Sequence, residues 1–356
     1  MATTARAKSR NSSPSSSPKS RNLSTLKGGV IRPNQPALVL APMDGVTDAP
    51  MRAYQGASGA FSFAVSEFLR VSIEVLPAKV FRRDVPELLT GGLNPTGMPV
   101  QVQILGGDPD RMAQSAVVAV KAGAQSIDIN FGCPAPTVNR HDGGASILRC
   151  PPRIREIVSA VRQAVPKPIP VSAKVRLGWD NIESIFETAR MAEEGGAEWL
   201  TIHARTRVQG YQPPVYWPKV GEVRRQLSIP VVANGDIWTI DDFRRCQDET
   251  GCIHFMIGRG ALANPLLPLQ AARELGLTKK PVPDRIDWLT TLRDFVRQCD
   301  FYADCPPHVT VMRLKQWVKI AKLYGDFPYF DAVKQTQSLD EFFDALDRAM
   351  LSPSAP

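Results

Sequence analysis

Short apolar runs alternate with amphipathic segments from residue 37 to about residue 280. Runs of this length bounded by turn residues are typical of buried strands. The segments between them carry helix signals: Asp108-Pro109 precedes the run that ends at Ala122, and Gly123 follows as a stop. The predicted strands are Ala37–Ala41, Ser62–Ser66, Val100–Leu105, Ser126–Asn130, Val171–Leu177, Trp199–His203, Ile229–Ala233 and His254–Ile257.

Strands separated by helices predict a parallel sheet with right-handed crossovers. Eight strand–helix units match a (β/α)8 TIM barrel, with a doubly wound open sheet as the alternative. Pro281 and Pro283 interrupt the pattern, and three helices are predicted after them. The predicted class is therefore α/β, a (β/α)8 TIM barrel (residues 36–280) followed by a small C-terminal helical domain (residues 285–350). Its predicted helices are Trp288–Phe301, Val309–Tyr324 and Leu339–Met350.

The net charge of +8 comes almost entirely from the first 34 residues, which hold seven Lys or Arg and no acid. The rest of the 356-residue chain carries 36 basic and 35 acidic residues. Residues 1–35 are rich in Ser and Pro, so we expect a disordered basic tail that could attract nucleic acid weakly. Its composition resembles an organellar transit peptide, but Pro14 and Pro18 argue against an amphipathic helix. A dispensable extension is the favoured interpretation.

The six cysteines form no CxxC pair and no zinc-like cluster, which favours reduced thiols in a cytoplasmic enzyme. No apolar run approaches the roughly 18 residues that span a bilayer, and there is no secretory signal pattern. We therefore expect a soluble protein without a membrane partner. The chain has no second histidine at a strand end, so a catalytic metal is not expected. A GxSxG elbow is also missing, which argues against a hydrolytic triad.

Glycine-rich turns follow the seventh and eighth predicted strands, at Gly235 and Gly258. Barrels of this kind bind phosphate there through backbone N–H groups and a short helix N-terminus. Arg259 could add a bidentate contact to the same group. Either glycine alone could serve an ordinary tight turn, but two in register favour a phosphate site.

Lys174, on the fifth strand, has three interpretations. It could form a Schiff base with a carbonyl substrate, or place a positive charge against an electron-rich cofactor ring. It could also pair with Asp128 or Glu67 inside the barrel, as a structural ion pair. His203 and Arg205, at the end of the sixth strand, suit contacts to a phosphate or a ring.

Cys133 lies just past the fourth strand, in SIDINFGCPAPTVNRHDGGAS. Loops after strand ends are where barrel enzymes keep their chemistry. The alternative is a small buried cysteine in a tight turn. The polar residues expected at the other strand ends favour a catalytic cysteine.

These motifs together resemble the tRNA-dihydrouridine synthase family, and within it the bacterial C-type branch. The resemblance runs from about residue 36 to 348, and its most specific part is NFGCP with the downstream GGA. ANGD and GRG alone would suit many flavin barrels. The motifs are LAPMDGVTDAP, SEFLRVS, VQILG, DINFGCPAPTVNRHDGGAS, SAKVRLGWD, TIHARTRVQGY, VVANGDI, MIGRGAL and RLKQWVK.

The resemblance implies reduction of the C5–C6 double bond of a uridine in the tRNA D-loop, at position 16, with FMN recharged by NADPH. It implies that Cys133 is the proton donor. The family commonly has Glu where this chain has Asp44. The implied cofactor-binding residues are Pro42, Met43, Asp44, Gln103, Lys174, His203, Asn234, Gly235, Asp236, Gly258 and Arg259. The implied tRNA-binding residues are Arg70, Asn130, Tyr211, Arg313, Lys315 and Lys334.

The helical domain is then expected to dock the tRNA. Arg313, Lys315, Lys319 and Lys322 lie partly along one flank of a predicted helix. Positive charge and geometry are enough for backbone recognition. A solvated helix face is the alternative, and we expect a monomer.

Three rival functions remain. A flavin barrel that reduces a free pyrimidine would share the cofactor but gives no role to a basic helical domain. A Schiff-base aldolase acting through Lys174 would need no flavin. An RNA-binding protein with an inactive barrel would bind tRNA without modifying it.

Overall fold

Eight parallel strands form a closed barrel in the computed structural model, which describes residues 30–140, 142–302 and 305–351. Each strand pairs with its neighbours in the chain, and the first strand pairs with the eighth. Pairing of the first strand with the eighth closes the sheet, whereas a doubly wound sheet would have two open edges. The predicted barrel is therefore confirmed, and the doubly wound alternative is wrong. The strands are β1 (Ala37–Leu40), β2 (Phe63–Arg70), β3 (Val100–Leu105), β4 (Ile127–Asn130), β5 (Val171–Arg176), β6 (Leu200–His203), β7 (Val231–Asn234) and β8 (His254–Ile257).

The largest difference from the predicted strands is at β2, which runs on to Arg70 instead of ending at Ser66. Its pairing with β3 shifts register between Val65 and Phe68. A bulge of this kind breaks the alternation on which a sequence pattern relies, so the pattern does not predict residues 67–70 as strand. The extension carries Glu67 and Arg70 toward the mouth of the barrel.

Helices between the strands cover the outside of the barrel. Asp108 caps the third of them by accepting the N–H of Arg111 at 2.8 Å, and Gly123, at φ 124°, ends it. Short 3-10 segments span Pro86–Thr90, Gly144–Arg149 and Ile182–Ser184. The helices are α1 (Ala49–Ala57), α2 (Ala78–Asp84), α3 (Pro109–Ala122), α4 (Pro136–Asn139), α5 (Pro151–Ala164), α6 (Ile185–Glu194), α7 (Trp217–Arg224), α8 (Ile240–Thr250), α9 (Arg259–Ala263) and α10 (Leu267–Glu274).

The interior of the barrel is divided into an apolar half and a polar half. Inward-facing residues of β1, β2, β7 and β8 pack with Trp199 as one apolar cluster, which includes Val39, Phe63, Val232 and Met256. Inward-facing residues of β3, β4 and β5 are polar although they are equally buried. They include Gln101, Gln103, Asp128 and Ser172. Such groups need internal hydrogen bonds, because water does not reach them.

Residues 30 and 31 already belong to the packed structure. Ile31 is 5% exposed and packs with Val30 against the apolar cluster inside the barrel. The predicted tail ran to residue 35, so its boundary was placed too late. Residues 1–29 lie outside the described residues, so the predicted disorder of the basic tail is not tested there.

The C-terminal helices build a second apolar core against the barrel. Trp317 donates its indole N–H to the carbonyl of Leu262 in α9 at 2.9 Å. Gly325 lies so close to the carbonyl of Ala263 that a Cβ atom would clash with it. The helical domain is therefore seated directly on the helix that follows β8. Its helices are α11 (Trp288–Phe301), α12 (Pro307–Tyr324), α13 (Phe330–Val333) and α14 (Leu339–Leu351).

Within the described ranges, none of the helices has the length and apolar character needed to cross a membrane.

A buried ion pair should make a large contribution to the free energy of unfolding. Arg52 in α1 donates to both carboxylate oxygens of Glu87 at 2.8 and 2.7 Å, and both side chains are inaccessible to solvent. Arg52→Met leaves the Glu87 carboxylate buried without its partner, so we expect a loss of about 3–5 kcal/mol in urea unfolding. Arg83→Met is the matched control because the Arg83–Asp84 pair is exposed, and it should cost less than about 1 kcal/mol. Equal losses in the two variants would contradict the prediction.

Candidate active site

A cavity of about 550 Å³ opens at the carboxyl ends of the barrel strands. Residues from seven strand ends line it, together with Ile320 of α12. Its volume lies within the range of small-molecule and cofactor sites. The predicted site residues that line it are Pro42, Met43, Asp44, Asn130, Cys133, Lys174, His203, Tyr211, Asn234, Gly235, Asp236, Gly258 and Arg259.

Gln103, the predicted cofactor residue on β3, lies behind the wall of the cavity and is 0% exposed. Its amide nitrogen donates to Asp128 at 2.7 Å, and its amide oxygen accepts from Asn130 at 2.8 Å. Ser172 donates to the other oxygen of Asp128 at 2.5 Å. Gln103 therefore orients Asn130 through a buried hydrogen-bond network.

Asn130 holds the loop that carries Cys133. Its side-chain oxygen accepts the backbone N–H groups of Gly132 at 2.8 Å and Cys133 at 2.9 Å. Both ends of this amide are therefore used within the protein. Behind the loop, Gly144 (φ 59°) packs against Cys133, and a Cβ atom there would be 3.1 Å from the Cys133 Cβ. Gly144, the second of the two glycines in the motif that follows Cys133, thus forms the back of its loop.

The Cys133 side chain is partly buried at the wall of the cavity. Burial raises the pKa of its thiol, and the nearby charge of Asp44 adds to that effect. The N–H of Ala135 and the charges of Arg176 and Arg70 act in the opposite direction. At neutral pH the group is therefore a thiol, which can donate a proton, and not a thiolate.

Lys174 donates to the side-chain oxygen of Asn234 at 2.9 Å. The alternative ion pair with Asp128 or Glu67 is not formed, because no salt bridge within 4.0 Å joins Lys174 to either carboxylate in the described part of the chain. Burial, and after it the charge of Arg176, lowers the pKa of Lys174 to about 8. The same two causes hold the pKa of His203 well below its usual value, so this imidazole is neutral.

Asp236 follows the turn at Gly235 and adopts a left-handed conformation with φ 49°. Its carboxylate pairs with the buried Arg205 and, at 3.4 Å, with Arg259. Gly260, next to Arg259, approaches the carbonyl of Ile237 so closely that a Cβ atom would clash. The loops after β7 and β8 are therefore locked together, which fixes Arg259 at the cavity.

Three aromatic rings surround Arg259 at the rim, and the sequence reasoning missed two of them. Its guanidinium carbon is 4.2 Å from the ring centroid of Tyr211, 4.9 Å from that of Trp238 and 5.0 Å from that of Tyr324. Trp238 and Tyr324 stack at 4.4 Å between centroids. The signal for Trp238 was its place directly after the ANGDI motif. Tyr324 sits at the end of α12, so only the fold brings it here.

The predicted tRNA-binding residues of the helical domain all make bonds within the protein. Arg313 pairs with Asp48 and donates to the carbonyl of Val46 at 3.2 Å, which ties α12 to the loop after β1. Lys315 donates to the carbonyl of Thr336 at 2.8 Å, and Lys334 to Asp331 at 2.8 Å. None of these three residues lines the cavity. Arg70 does not line it either, but its charge acts on Cys133 from the end of β2.

Comparison with known proteins identifies close relatives. The model of the family dihydrouridine synthase (Dus) matches residues 39–297, more than half of the chain. The chain is 44% identical to a tRNA-dihydrouridine(16) synthase of Shewanella oneidensis, over 79% of this chain and 87% of the relative. It is 43% identical to an enzyme of the same name from Pseudomonas putida, over 82% and 89%.

Two solved structures share the fold alone. A 2-naphthoyl-CoA reductase has a TM-score of 0.52 and 13% identity, over 67% of this chain and 50% of that chain. Histamine dehydrogenase from a Rhizobium species has a TM-score of 0.51 and 14% identity, over 74% and 49%. At these identities the likeness supports the barrel architecture and nothing finer.

The raised pKa of Cys133 predicts slow alkylation at neutral pH. Iodoacetamide reacts with the thiolate, so labelling of Cys133 should be slower than that of the exposed Cys150 and should accelerate as the pH rises above 9. Mass spectrometry of peptides from one sample gives both rates, with Cys150 as the internal control. A Cys133 that is labelled faster than Cys150 at pH 7 would contradict a protonated thiol.

Proposed function

The chain belongs to the dihydrouridine synthase family, and we propose that it reduces uridine 16 in the D-loop of tRNA to 5,6-dihydrouridine with FMN and NADPH. The names of its relatives support the substrate and the position. The observation that carries the proposal is the composition of the cavity. The protonated thiol of Cys133 lines the same cavity as the cationic side chains of Lys174, Arg176 and Arg259. A thiol suits protonation of carbon, and the cations suit an anionic cofactor.

The cavity residues fit a flavin mononucleotide. Gly258, Arg259 and Gly260 at the start of α9 offer backbone N–H groups and a guanidinium to the phosphate. The neutral His203 has a buried Nδ1 atom with no hydrogen-bond partner in the described part of the chain, which suits a polar ligand beside it. Lys174 and Asn234 face the ring. The remaining contacts are assigned to Pro42, Met43, Asp44, Gly235 and Asp236, whereas Gln103 acts from behind the wall.

The reaction adds two hydrogens across the C5–C6 bond of the uracil ring. FMN held in this cavity and reduced by NADPH would supply the hydride that C6 receives. Cys133 donates the proton to C5 as a general acid, and solvent then restores the thiol. Because Asn130 fixes the backbone of Cys133, the thiol keeps its position when the uridine is turned out of the tRNA stack into the cavity.

Lys174 acts electrostatically in this proposal. Its ammonium group would stabilise negative charge on the ring of a bound flavin. Asn234 aims it by accepting at 2.9 Å. Family membership gives no support to the Schiff-base aldolase, and the relatives named for tRNA argue against a free pyrimidine as substrate.

The tRNA contacts at the cavity are assigned to Asn130 and Tyr211, and Tyr211 is 52% exposed at the rim. Arg70, at the end of β2 and outside the cavity lining, is assigned a further tRNA contact. The helical domain, residues 285–350, is the second docking surface through Arg313, Lys315 and Lys334. A tRNA substrate and cysteines without disulfides favour the cytoplasm. The enzyme is proposed to act as a monomer.

The direct test uses the purified protein with an unmodified tRNA transcript, FMN and NADPH. Uridine 16 should gain two hydrogen atoms, read by mass spectrometry of nuclease fragments. A transcript with cytidine at position 16 is the control and should stay unchanged. A yellow protein that leaves the first transcript unmodified would overturn the proposal, and modification at another uridine would overturn the position.

Replacing the proposed acid separates chemistry from binding. Cys133→Ala should keep the flavin spectrum and tRNA affinity but lower the rate of dihydrouridine formation by about 10²–10⁴-fold. Cys150→Ala is the matched control, because Cys150 is exposed and lies outside the cavity wall. Full activity of Cys133→Ala would exclude the proton-donor role.

Removing the Lys174 ammonium should weaken the cofactor site. Lys174→Met keeps the length of the side chain but removes its charge, so a smaller share of the purified protein should carry flavin and its reduction by NADPH should slow at least tenfold. Absorbance and stopped-flow reduction measure the two effects. Lys167→Met, on an exposed loop, should match the wild type. Unchanged flavin content and reduction in Lys174→Met would refute this placement.

A further inference from the structure

Three consecutive loops at the carboxyl ends of β4, β5 and β6 bring two arginines onto one tryptophan. The guanidinium carbon of Arg149, after β4, is 3.7 Å from the ring centroid of Trp179, after β5. That of Arg207, after β6, is 4.7 Å from the same ring. We call these three residues the arginine–tryptophan cluster. They follow β4, β5 and β6, whereas the helical domain is seated on α9, which follows β8.

The cluster is held by backbone bonds between its loops. The N–H of Arg207 donates to the carbonyl of Gly178 at 2.9 Å, and that of Val208 donates to the carbonyl of Trp179 at 2.8 Å. Arg176, at the end of β5, donates to the carbonyls of Gly132, Thr206 and Gly210. The two guanidinium groups are therefore presented by a fixed surface, so little freedom is lost when a ligand binds.

Neither arginine is neutralised by a carboxylate within the described ranges. No ion pair within 4.0 Å involves Arg149 or Arg207, whereas Asp142 nearby is taken by Arg153. Asp180, next to Trp179, is exposed and pairs with neither. The Nε atom of Arg207 is buried without a hydrogen-bond partner. Two positive charges with free donors are thus left beside the cavity.

The cluster is continuous with the cavity rim. The N–H of Gly210 donates to the carbonyl of Arg207 at 3.0 Å, in the turn that leads directly to Tyr211. A chain that enters the cavity past Tyr211 therefore runs next to the cluster. The cations of the helical domain differ, because Arg313, Lys315 and Lys334 are already bonded within the protein.

We propose that the arginine–tryptophan cluster binds the phosphodiester backbone of the RNA strand next to the uridine that enters the cavity. The inference rests on the proposed function, which supplies tRNA as the ligand. Arginine matches phosphate through paired N–H donors, and stacking on Trp179 leaves the edges of both guanidinium groups for that contact. Trp179 itself is covered by the arginines, so it supports them and does not stack on a base.

The test is equilibrium binding of unmodified tRNA to flavin-loaded enzyme over a range of KCl concentrations. Arg149→Gln/Arg207→Gln should raise the Kd about tenfold near 0.1 M salt and lower the slope of log K against log salt by about 1.4–1.8, the value for two lost phosphate contacts. Under turnover, KM for tRNA should rise by a similar factor, with kcat at saturating tRNA unchanged. Arg149→Lys/Arg207→Lys should recover the slope and part of the affinity.

Arg155→Gln/Arg190→Gln is the matched control. It removes the same charge from exposed arginines of α5 and α6 that both pair with Glu194. An Arg149→Gln/Arg207→Gln variant that behaves like this control would overturn the inference. If the double variant loses its flavin, the single Arg149→Gln change at an exposed side chain must still lower the slope by about half as much. A wild-type enzyme that forms no dihydrouridine would instead overturn the proposed function, so the two failures are distinguishable.

Discussion

The buried carboxylate of Asp128 is the constraint on which the rest of the site depends. Burying a charged or polar group inside a barrel costs free energy of folding unless hydrogen bonds replace those to water. Burial is the largest influence on the pKa of the Asp128 carboxyl and raises it. Ser172 and Gln103 supply those bonds, and Gln103 in turn fixes Asn130. Asn130 in turn holds the backbone at Cys133. The position of the thiol therefore depends on the hydrogen bonds that satisfy the buried Asp128.

The helical domain supports the same site from the other side. Arg313 reaches from α12 to Asp48 and the carbonyl of Val46, and Glu67 of β2 accepts the N–H of Val46 at 2.9 Å. Burial, together with the charge of Asp48, raises the pKa of Glu67 to about 7. Its protonated form therefore favours the folded state, fully so below pH 4.5, and this contribution is lost as the pH rises through 7. The loop after β1 is thus held jointly by both domains.

Much of this arrangement could be predicted from the sequence, because strand ends in a parallel barrel necessarily converge. That rule placed Cys133, Lys174 and Arg259 in one cavity. It could not place Gln103 behind the wall, since the rotamer of a buried amide depends on which partner is near. It also could not tell that Arg313 is bonded to Asp48, because a helical pattern gives the face of a residue but not its partner on another element. The pattern of a single strand also could not predict where β2 ends, because the register of β2 is set by its pairing with β3.

The distribution of charge decides how such a protein can recognise a polyanion. Apart from its first 34 residues the chain is nearly neutral, so attraction must come from places where cations are not matched by acids. The cavity is one such place, since burial and the charge of Arg176 lower the pKa values of both Lys174 and His203. An anionic ligand relieves that repulsion, and by linkage its binding favours the protonated form of Lys174. Under the proposed function, the affinity for the cofactor phosphate and the charge state of Lys174 are therefore coupled within one cavity.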